Sequence, residues 1–437
     1  MSDGRNIMNL VFGRLSRRSL VLALSAVALA STVSGAAAQS IIKWLHLESN
    51  PDRLATWQEI AANYEAEHLD VKIEFQFLEN EAFKAKLPTL LQSNDAPSMF
   101  YTWGGGVLKA QTETGAIRDI TAAMDADNGA WRNAVSPAAV DGLSIDGKVW
   151  AAPVQSGLVS FFYNKALFEQ AGVDANGIKT WTDFTAAVQK LKDAGITPIA
   201  GGGGDKWPIH FFWSYLAMRE LGKDGFDAAK AGEGFQGEGF VKASQMLADL
   251  GAMEPFQEGY LGATWPDTQA VFADGRAAMV LSFENTATPQ NQANAATDGK
   301  GLAEDAIGRF AFPLVDGGAG VVTDDFGGLN GWVVTTNAPP ETEDFIHYMT
   351  VENAGLLAEK NNILPTALGS DASVKDPSLA DSAAQMAKAT WHQNYLDQDL
   401  GPNVGRVVND MSVELVSGQV TPEDALQQVQ DAFSMEM

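Results

Sequence analysis

Most of the residues that could do chemistry follow apolar runs of this sequence, at points where strands are expected to end. The ligand-contact candidates among them are Glu48, Trp103, Gly104, Gln155, Ser156, Trp207, His210, Trp265, Glu284, Asn285, Gly328 and Asn330. In an open α/β sheet, ligands bind at the carboxyl ends of the strands. We therefore expect these side chains to gather around one binding site.

The chemistry of this set favours an uncharged, polyhydroxylated ligand. Carboxylate and amide oxygens accept hydrogen bonds from hydroxyl groups, and charge-assisted hydrogen bonds are about twice as strong as neutral ones. Indole rings offer flat apolar area to the C–H face of a pyranose. A phosphate or carboxylate ligand would call for arginine forks or a bare helix N-terminus, and the candidate positions hold neither Lys nor Arg.

Each candidate also has a purely structural interpretation. Trp103, Trp207 and Trp265 lie in loops bounded by glycine or proline, where ligand stacking and packing both account for an indole ring. Glu48 follows a strand and precedes a helix, so a solvated charge at the helix end explains it equally well. His46 is expected to be structural. Core positions are expected for Trp44, Trp57, Trp150, Trp181 and Trp332.

The sequence contains partial matches to cofactor-binding motifs, but the residues around each match do not support that function. "GEGFQG" (residues 232–237) matches the dinucleotide fingerprint, but no strand precedes it and acidic residues surround it. "GGGGDKW" (residues 201–207) lacks the Gly-Lys-Ser/Thr ending of a phosphate loop. The chain has no cysteine, and its five histidines form no HxxxH pair. We therefore expect no cofactor, no metal site and no catalytic residue.

The pattern of apolar residues alternates strands with helices. Strands are predicted at residues 40–49, 71–77, 98–103, 158–163, 197–204, 277–283 and 331–336. Helices are predicted from Asn50-Pro51, over 81–92 and 180–195, and from Thr421. This alternation implies an α/β fold of mostly parallel sheets flanked by helices. Since no Gly/Ser-rich linker interrupts the chain, two lobes joined by ordered crossings are expected.

Residues 1–38 have the pattern of an export signal. Arg14, Arg17 and Arg18 precede an apolar run at residues 20–30 that is too short to span a bilayer comfortably. Three alanines then offer a small-residue cleavage site, and cleavage is expected near Ala38-Gln39 after export by the Sec or the twin-arginine route. The formal net charge of −26 disfavours nucleic acid and anionic lipid as partners.

Longer blocks of sequence point to a family. The chain resembles the family-1 extracellular solute-binding proteins of ABC importers, the sugar-binding group that includes maltose-binding protein. The most specific block is "DGKVWAAPVQSGLVSFFYNKALFEQAGVD" with "TWTDF" after it, residues 146–174 and 180–184. Supporting blocks, in the order of the family, are "APSMFYTWGGG" (96–106), "FADGRAAMVL" (272–281), "GGLNGWVV" (327–334) and "LVSGQVTPEDAL" (415–426).

The resemblance implies a two-lobe periplasmic-binding-protein fold of the class II type. The lobes it implies are residues 39–153 with 327–374, and residues 154–326 with 375–437. Crossings are implied at 153–157, near 325–328 and around 370–380, and they would form a hinge that closes on the ligand. The resemblance assigns sugar contacts to Glu48 and Trp103. It places residues 155–157 and Asn330 at hinge crossings.

One stretch departs from the family. Where many relatives carry a Gly-x-Trp stacking platform after the strand at 277–283, this chain has Ser282-Phe283-Glu284-Asn285. Stacking is therefore expected to move to Trp265 or Trp207, with polar contact at Glu284 and Asn285. The identity of the sugar stays open.

The leading hypothesis is a monomeric, periplasmic, non-catalytic subunit that binds a neutral mono- or oligosaccharide and delivers it to a membrane permease. One alternative keeps the transport role but changes the ligand to a polyol or another non-sugar solute. The other is an exported glycosidase with two carboxylates, for instance Glu48 and Glu284.

Overall fold

The computed structural model describes residues 39–283, 290–297 and 301–436, so the predicted export signal lies outside the described residues. The strands are β1 (Ser40–His46), β2 (Val71–Phe77), β3 (Met99–Thr102), β4 (Ser144–Ile145), β5 (Lys148–Val149), β6 (Ala152–Ser156), β7 (Ser160–Asn164), β8 (Ile199–Ala200), β9 (Met279–Ser282), β10 (Ile307–Phe310), β11 (Asp324–Gly327), β12 (Leu329–Val334), β13 (Leu364–Pro365) and β14 (Trp391–Asn394). The helices are α1 (Pro51–Glu67), α2 (Asn80–Leu91), α3 (Gly105–Glu113), α4 (Thr121–Asn133), α5 (Pro137–Gly142), α6 (Lys165–Gln170), α7 (Trp181–Asp193), α8 (Trp207–Ala228), α9 (Glu238–Ala252), α10 (Trp265–Ala273), α11 (Gln290–Asn294), α12 (Glu341–His347), α13 (Ala354–Asn361), α14 (Pro377–Met386), α15 (Leu396–Asp399), α16 (Gly401–Val416) and α17 (Pro422–Glu436).

The first sheet has six strands in the order β13-β6-β12-β3-β1-β2. β1 is parallel to β2 and β3, whereas β12 is antiparallel to β3 and β6, and β13 is antiparallel to β6. The expectation of a mostly parallel sheet is therefore wrong in detail, because this sheet is mixed. β6 carries the chain out of the sheet towards the second one and β12 brings it back, so these two neighbours run in opposite directions.

The second sheet has four strands in the order β10-β7-β9-β8. β7 is antiparallel to β9 and β10, and β8 is parallel to β9. This sheet is also mixed, for the same reason, since β7 begins where the chain enters from the first sheet. Helices flank both sheets, as the alternation of strand and helix patterns predicted.

Each sheet has its own apolar core. We call the first sheet and its flanking helices the first lobe, and Trp44 and Trp332 are buried in its core. Phe161 and Trp213 are buried around the second sheet, which forms the second lobe. The C-terminal helices α16 and α17 belong to the second lobe, because their apolar residues, such as Val408, are in the same core cluster as Phe161. Separate cores give each lobe an independent source of burial energy.

The lobes meet where three stretches of chain lie side by side. Gly157 N donates to Gly328 O at 2.7 Å, Val159 N donates to Phe326 O at 2.8 Å, and β11 pairs in parallel with β14. Gly327 permits this approach, because a Cβ there would lie 1.8 Å from Gly157 O. The connection between the lobes is thus an ordered, hydrogen-bonded one.

Local sequence signals fix several element ends. Asn50 caps α1, and Thr180 and Asp183 form the predicted capping box of α7. The strand predicted at 197–204 is shorter than expected, because only β8 pairs and the glycines after it run beneath residues 260–268. At Gly202 a Cβ would lie 2.5 Å from Thr268 Oγ1, so these glycines serve close packing.

Candidate functional site

A cleft opens between the lobes at the carboxyl ends of β1, β3, β6 and β9. It encloses about 1200 Å³, counting its open solvent side. The first-lobe wall consists of Leu47, Glu48, Ser49, Arg53, Trp57, Asn80, Lys84, Tyr101, Trp103, Gln155, Asn330, Asn362 and Ile363, with Gly157 at the crossing. The second-lobe wall consists of Trp207, Phe211, Trp265, Phe283, Tyr395, Asp397 and Gln398.

Glu48 follows β1 and is held by the start of α1. Its Oε1 accepts a hydrogen bond from Asn50 N at 2.9 Å, and its Oε2 lies 3.1 Å from Arg53 Nε. The Glu48 and Arg53 side chains are only 11% and 13% exposed, so they form an internal ion pair in the cleft wall. One Glu48 oxygen therefore has a hydrogen-bond donor from the protein, and the other lies against the paired charge of Arg53.

His46, at the end of β1, supports the same turn. Its Nδ1 accepts a hydrogen bond from Glu48 N at 3.2 Å, and the ring is 2% exposed. Burial lowers the pKa of His46 from 6.5 to about 4, which keeps the ring neutral and Nδ1 able to accept. The expectation that His46 is structural agrees with this geometry.

Trp103 follows β3 on the same wall. Its ring meets Phe83 and Tyr101 edge-on, with centroids 5.9 and 5.5 Å apart. Lys84 Nζ lies 5.5 Å from the Trp103 ring centroid and 2.9 Å from Glu81 Oε1. Trp103 is thus surrounded by rings on its edges and by a cation that has its own acidic partner.

Amide side chains complete the first-lobe wall. Gln155 on β6 and Asn330 on β12 are opposite each other in the sheet register. Asn80 Oδ1 and Asn330 Oδ1 have no hydrogen-bond partner among the described residues. Because amides both donate and accept, this wall is suited to hydroxyl groups.

The second-lobe wall is a continuous patch of aromatic rings. Trp207 lies 4.9 Å from Trp265 and 5.9 Å from Phe283, centroid to centroid. Phe211 stacks on Tyr395 at 5.5 Å with an interplanar angle of 18°. α8, α10, the end of β9 and the start of α15 each contribute to this surface. It offers flat apolar area in the way that the pyranose C–H face requires.

The structure brings half of the predicted site residues together. Glu48, Trp103, Gln155, Trp207, Trp265 and Asn330 line the cleft. Gly104, Ser156 and Gly328 neighbour it without lining it, and a Cβ at Gly328 would lie 2.1 Å from the Tyr395 ring. His210 is fully buried behind the second-lobe wall. Glu284 and Asn285 lie outside the described residues.

Sequence reasoning missed cleft residues that sit on helices. Arg53 is in the first turn of α1, Lys84 is one turn into α2, and Asp397 is in α15. The expected scarcity of cations therefore holds for the strand ends but not for the cleft, which contains both Arg53 and Lys84. The first turn of a helix that follows a strand faces the same sheet edge, and inspecting that turn of α1 would have found Arg53, whereas Lys84 lies in the second turn of α2.

Among the described residues, no group of three or more His, Asp or Glu side chains is arranged to hold a metal ion. No helix within the described ranges is both long enough and apolar enough to cross a membrane.

Comparison with known proteins gives one family. The sequence model of the family described as bacterial extracellular solute-binding protein matches residues 48–355. An uncharacterized ABC transporter extracellular-binding protein of Pyrococcus horikoshii is 26% identical over 175 residues, covering 39% of this chain and 40% of that protein. The xylose/arabinose-binding protein of Haloferax volcanii is 24% identical over 236 residues, covering 53% of this chain and 49% of that protein. The chain thus spans about half or less of the length of these curated relatives.

The fold matches solved structures over almost its whole length. A structure from work on xylan utilization by the thermophilic bacterium Caldanaerobius polysaccharolyticus has a TM-score of 0.81 and 24% sequence identity. The match covers 90% of this chain and 99% of that chain. At this identity the likeness shows the fold, and it confirms the predicted two-lobe class.

Proposed function

We propose that this chain, which belongs to the bacterial extracellular solute-binding protein family, captures a neutral carbohydrate in the cleft between its lobes. The ligand is a mono- or oligosaccharide, and closure of the lobes around it presents the loaded protein to the membrane permease of an ABC importer. A ligand that contacts both lobes favours the closed state through its higher affinity for that state.

The observation that carries this proposal is the chemistry of the two cleft walls. The described residues of one wall include five aromatic rings, and those of the other include amides, an internally paired acid and base, and three further rings. A sugar ring has the same division, with apolar C–H faces and a rim of hydroxyl groups. The cations of the cleft each have an acidic partner, Glu48 for Arg53 and Glu81 for Lys84, which disfavours an anionic ligand.

The relatives support the same class of ligand. One is named for xylose and arabinose binding, and the structure with the matching fold comes from work on xylan utilization. These sugars are named for those two proteins and not for this chain. Both names make pentoses and their oligomers the first sugars to test with this chain.

Lobe boundaries, export and oligomeric state belong to the proposal as well. The proposed lobes are residues 39–153 with 327–374 and residues 154–326 with 375–437. Because β6 pairs in the first sheet as far as Ser156, we propose to move residues 154–156 to the first lobe, with the first crossing at residues 157–159. Residues 1–38 are proposed as a cleaved signal for export to the periplasm, where the protein acts as a monomer.

The proposal includes no catalysis. Of the two carboxylates considered for a glycosidase, Glu48 is committed to Asn50 N and Arg53 Nε, and Glu284 lies outside the described residues. Release of free sugar from any glycoside by the purified chain would overturn this part.

Thermal unfolding and calorimetric titration test the proposal. The panel contains D-xylose, L-arabinose, D-galactose, xylo-oligosaccharides and maltose, with sorbitol as a polyol and galacturonate as an anion. A ligand that binds only the folded state raises Tm, and we expect a neutral sugar to do so with a saturable isotherm. A response to sorbitol alone would support the polyol alternative. No response to any sugar would contradict the proposed function.

A further inference from the structure

Asp397 is a buried acid in the aromatic wall. It lies in α15, is 6% exposed, and lines the cleft beside Tyr395 and Gln398. Its Oδ2 accepts hydrogen bonds from Gln398 Nε2 at 3.0 Å and from Asn409 Nδ2 at 3.1 Å. These two amides fix the plane of the carboxylate. No hydrogen bond to Oδ1 is formed within the described part of the chain.

His210 faces that second oxygen. Its Nδ1 is 2.7 Å from Trp207 O, and since a carbonyl oxygen only accepts, we assign the proton of the ring to Nδ1. Burial lowers the pKa of His210, although Asp397 acts in the opposite direction, so the ring is neutral at pH 7. Nε2 then carries a lone pair, and it lies 3.7 Å from Asp397 Oδ1.

As a result, two hydrogen-bond acceptors face each other and neither has a donor between them. Both Nε2 of His210 and Oδ1 of Asp397 accept hydrogen bonds, and Nε2 has no hydrogen-bond partner among the described residues. Glu48 on the opposite wall differs, because it has a cation of its own, Arg53, whose Nε lies 3.1 Å from Glu48 Oε2, and its Oε1 accepts from Asn50 N. Asp397 lines the cleft, so a ligand bound there can supply the hydrogen-bond donor that Oδ1 lacks.

We propose that Asp397 is the polar anchor of the second-lobe wall, where it accepts a hydrogen bond from one ligand hydroxyl at the edge of the stacked sugar ring. Gln398, Asn409 and His210 are its positioning residues. This inference rests on the proposed carbohydrate-binding function and narrows it. The ligand must present a free O–H donor at that position, and sugars that are deoxygenated, O-alkylated or oxidised to a carboxylate there are rejected.

The discrimination follows from the asymmetry of hydrogen bonding. A site built to accept from a hydroxyl leaves its acceptor dehydrated and unpaired when an analogue lacks that hydroxyl. Hydrogen bonds to charged groups contribute enough to make the loss about 10- to 100-fold in Kd. The aromatic rings contribute area without this selectivity, because a ring face stacks on any pyranose or furanose with an exposed C–H surface.

Asp397→Asn is the sharpest variant, because it changes the chemistry and keeps the shape. The amide oxygen takes the place of Oδ2 and keeps the bonds from Gln398 and Asn409. The amide nitrogen takes the place of Oδ1 and points an N–H at His210 Nε2, which lacks a donor in the wild type. The variant is therefore expected to fold with unchanged or higher Tm, while the acceptor of the cleft has become a donor.

The binding test uses the neutral sugar of the panel that binds the wild type best, together with its monodeoxy derivatives. We expect D397N to bind the parent sugar about 10- to 100-fold more weakly. For one deoxy derivative the wild type and D397N should bind equally, because the hydroxyl that Asp397 would accept is already missing. Asp410→Asn in α16 is the matched control, since Asp410 is not in the cleft and pairs with Lys206 and Arg406.

Several outcomes overturn the inference. Equal binding of the parent sugar by wild type and D397N shows that Asp397 is not an anchor. A full D397N penalty for every deoxy derivative, or the same loss in D410N, shows a general structural effect instead. If the wild type binds no sugar of the panel, the proposed function fails first and this inference falls with it, a result visible before any variant is made.

Discussion

The two walls of the cleft solve the problem of burying polar groups in different ways. On the first-lobe wall, the acid Glu48 and the base Arg53 neutralise each other, and His46 supports the turn that holds them. On the second-lobe wall, rings dominate, and Asp397, the one acid among its described residues, keeps one oxygen without a protein donor. The charges of the first wall are paired within the protein, whereas the carboxylate of the second wall has no cationic partner there.

Because of this difference, we expect the two walls to contribute differently to the affinity and specificity of ligand binding. A wall whose charges are already satisfied gains little from any one ligand hydroxyl and provides many weak polar contacts through its amides. A wall of rings with one incomplete acceptor provides the apolar area and a single directional contact. We therefore expect most of the affinity, and the sharpest specificity, to come from the second lobe.

The largest expected effect is the loss of an indole ring from the second-lobe wall, and the matching loss from the first-lobe wall is the comparison. Trp265→Ala takes a ring from the aromatic patch, and we expect the affinity for the best sugar to fall by about 2 kcal/mol or more, some 30-fold in Kd. Trp103→Ala is the matched variant on the first wall, where the ring is covered by Lys84 and edged by Phe83 and Tyr101. Its expected loss is smaller. Calorimetric titration of both variants checks the order, and a larger loss in the Trp103 variant would reverse the comparison.

Acid pH should weaken the first wall through His46. Its pKa is about 4 in the folded protein and 6.5 in the unfolded chain. Between these two pH values the imidazole is protonated in the unfolded chain and stays neutral in the native protein. This contribution to stability is fully present above pH 6.5 and is lost as the pH falls towards 4. At pH 5 the loss amounts to about 2 kcal/mol.

His46→Asn isolates that contribution. The asparagine oxygen keeps an acceptor for Glu48 N but does not titrate, so urea unfolding at pH 7 and pH 5 should show a smaller drop for the variant than for the wild type. The acidic residues of the chain titrate equally in both proteins and cancel in the difference. Parallel pH dependences in the two proteins would show that His46 is not a buried neutral ring.

The sequence predicted much of this site because strand ends carry most of the first wall. Gln155 and Asn330 were selected because they lie just before predicted strands, and the family resemblance placed both at hinge crossings; the sheet register places them opposite each other in β6 and β12. Asp397 and Tyr395 were missed, because they lie in and directly before the short helix α15, about 190 residues after Trp207 in the chain, and no local pattern signals that α15 returns to the cleft. His210 was selected for its place after a glycine run, but its helix turns it inward.

The fold shows the same division between local and non-local information. The capping box of α7 was predicted because its signal lies within four residues. The mixed character of both sheets was not, because strand direction depends on which lobe the chain leaves and re-enters. That path is a property of the crossings at Gly157 and Gly328, far apart in sequence.

The smallest expected effect tests whether the two acids of the cleft differ as described. In Glu48→Gln the amide oxygen keeps the bond from Asn50 N, so the amide nitrogen faces Arg53 Nε, a donor opposed to a donor. Arg53 loses its partner in a nearly buried position, and we expect the free energy of unfolding to fall by about 1 kcal/mol. A double-mutant cycle with Arg53→Gln, followed by urea unfolding, should recover most of that loss as coupling between the two residues. The same change of acid to amide on the other wall, D397N, supplies a donor where one is missing, so it should leave the free energy of unfolding intact and weaken binding.

Equal losses in the free energy of unfolding for E48Q and D397N would mean that the protein provides partners for both acids to the same extent. The contrast between the walls would then rest on the aromatic rings alone.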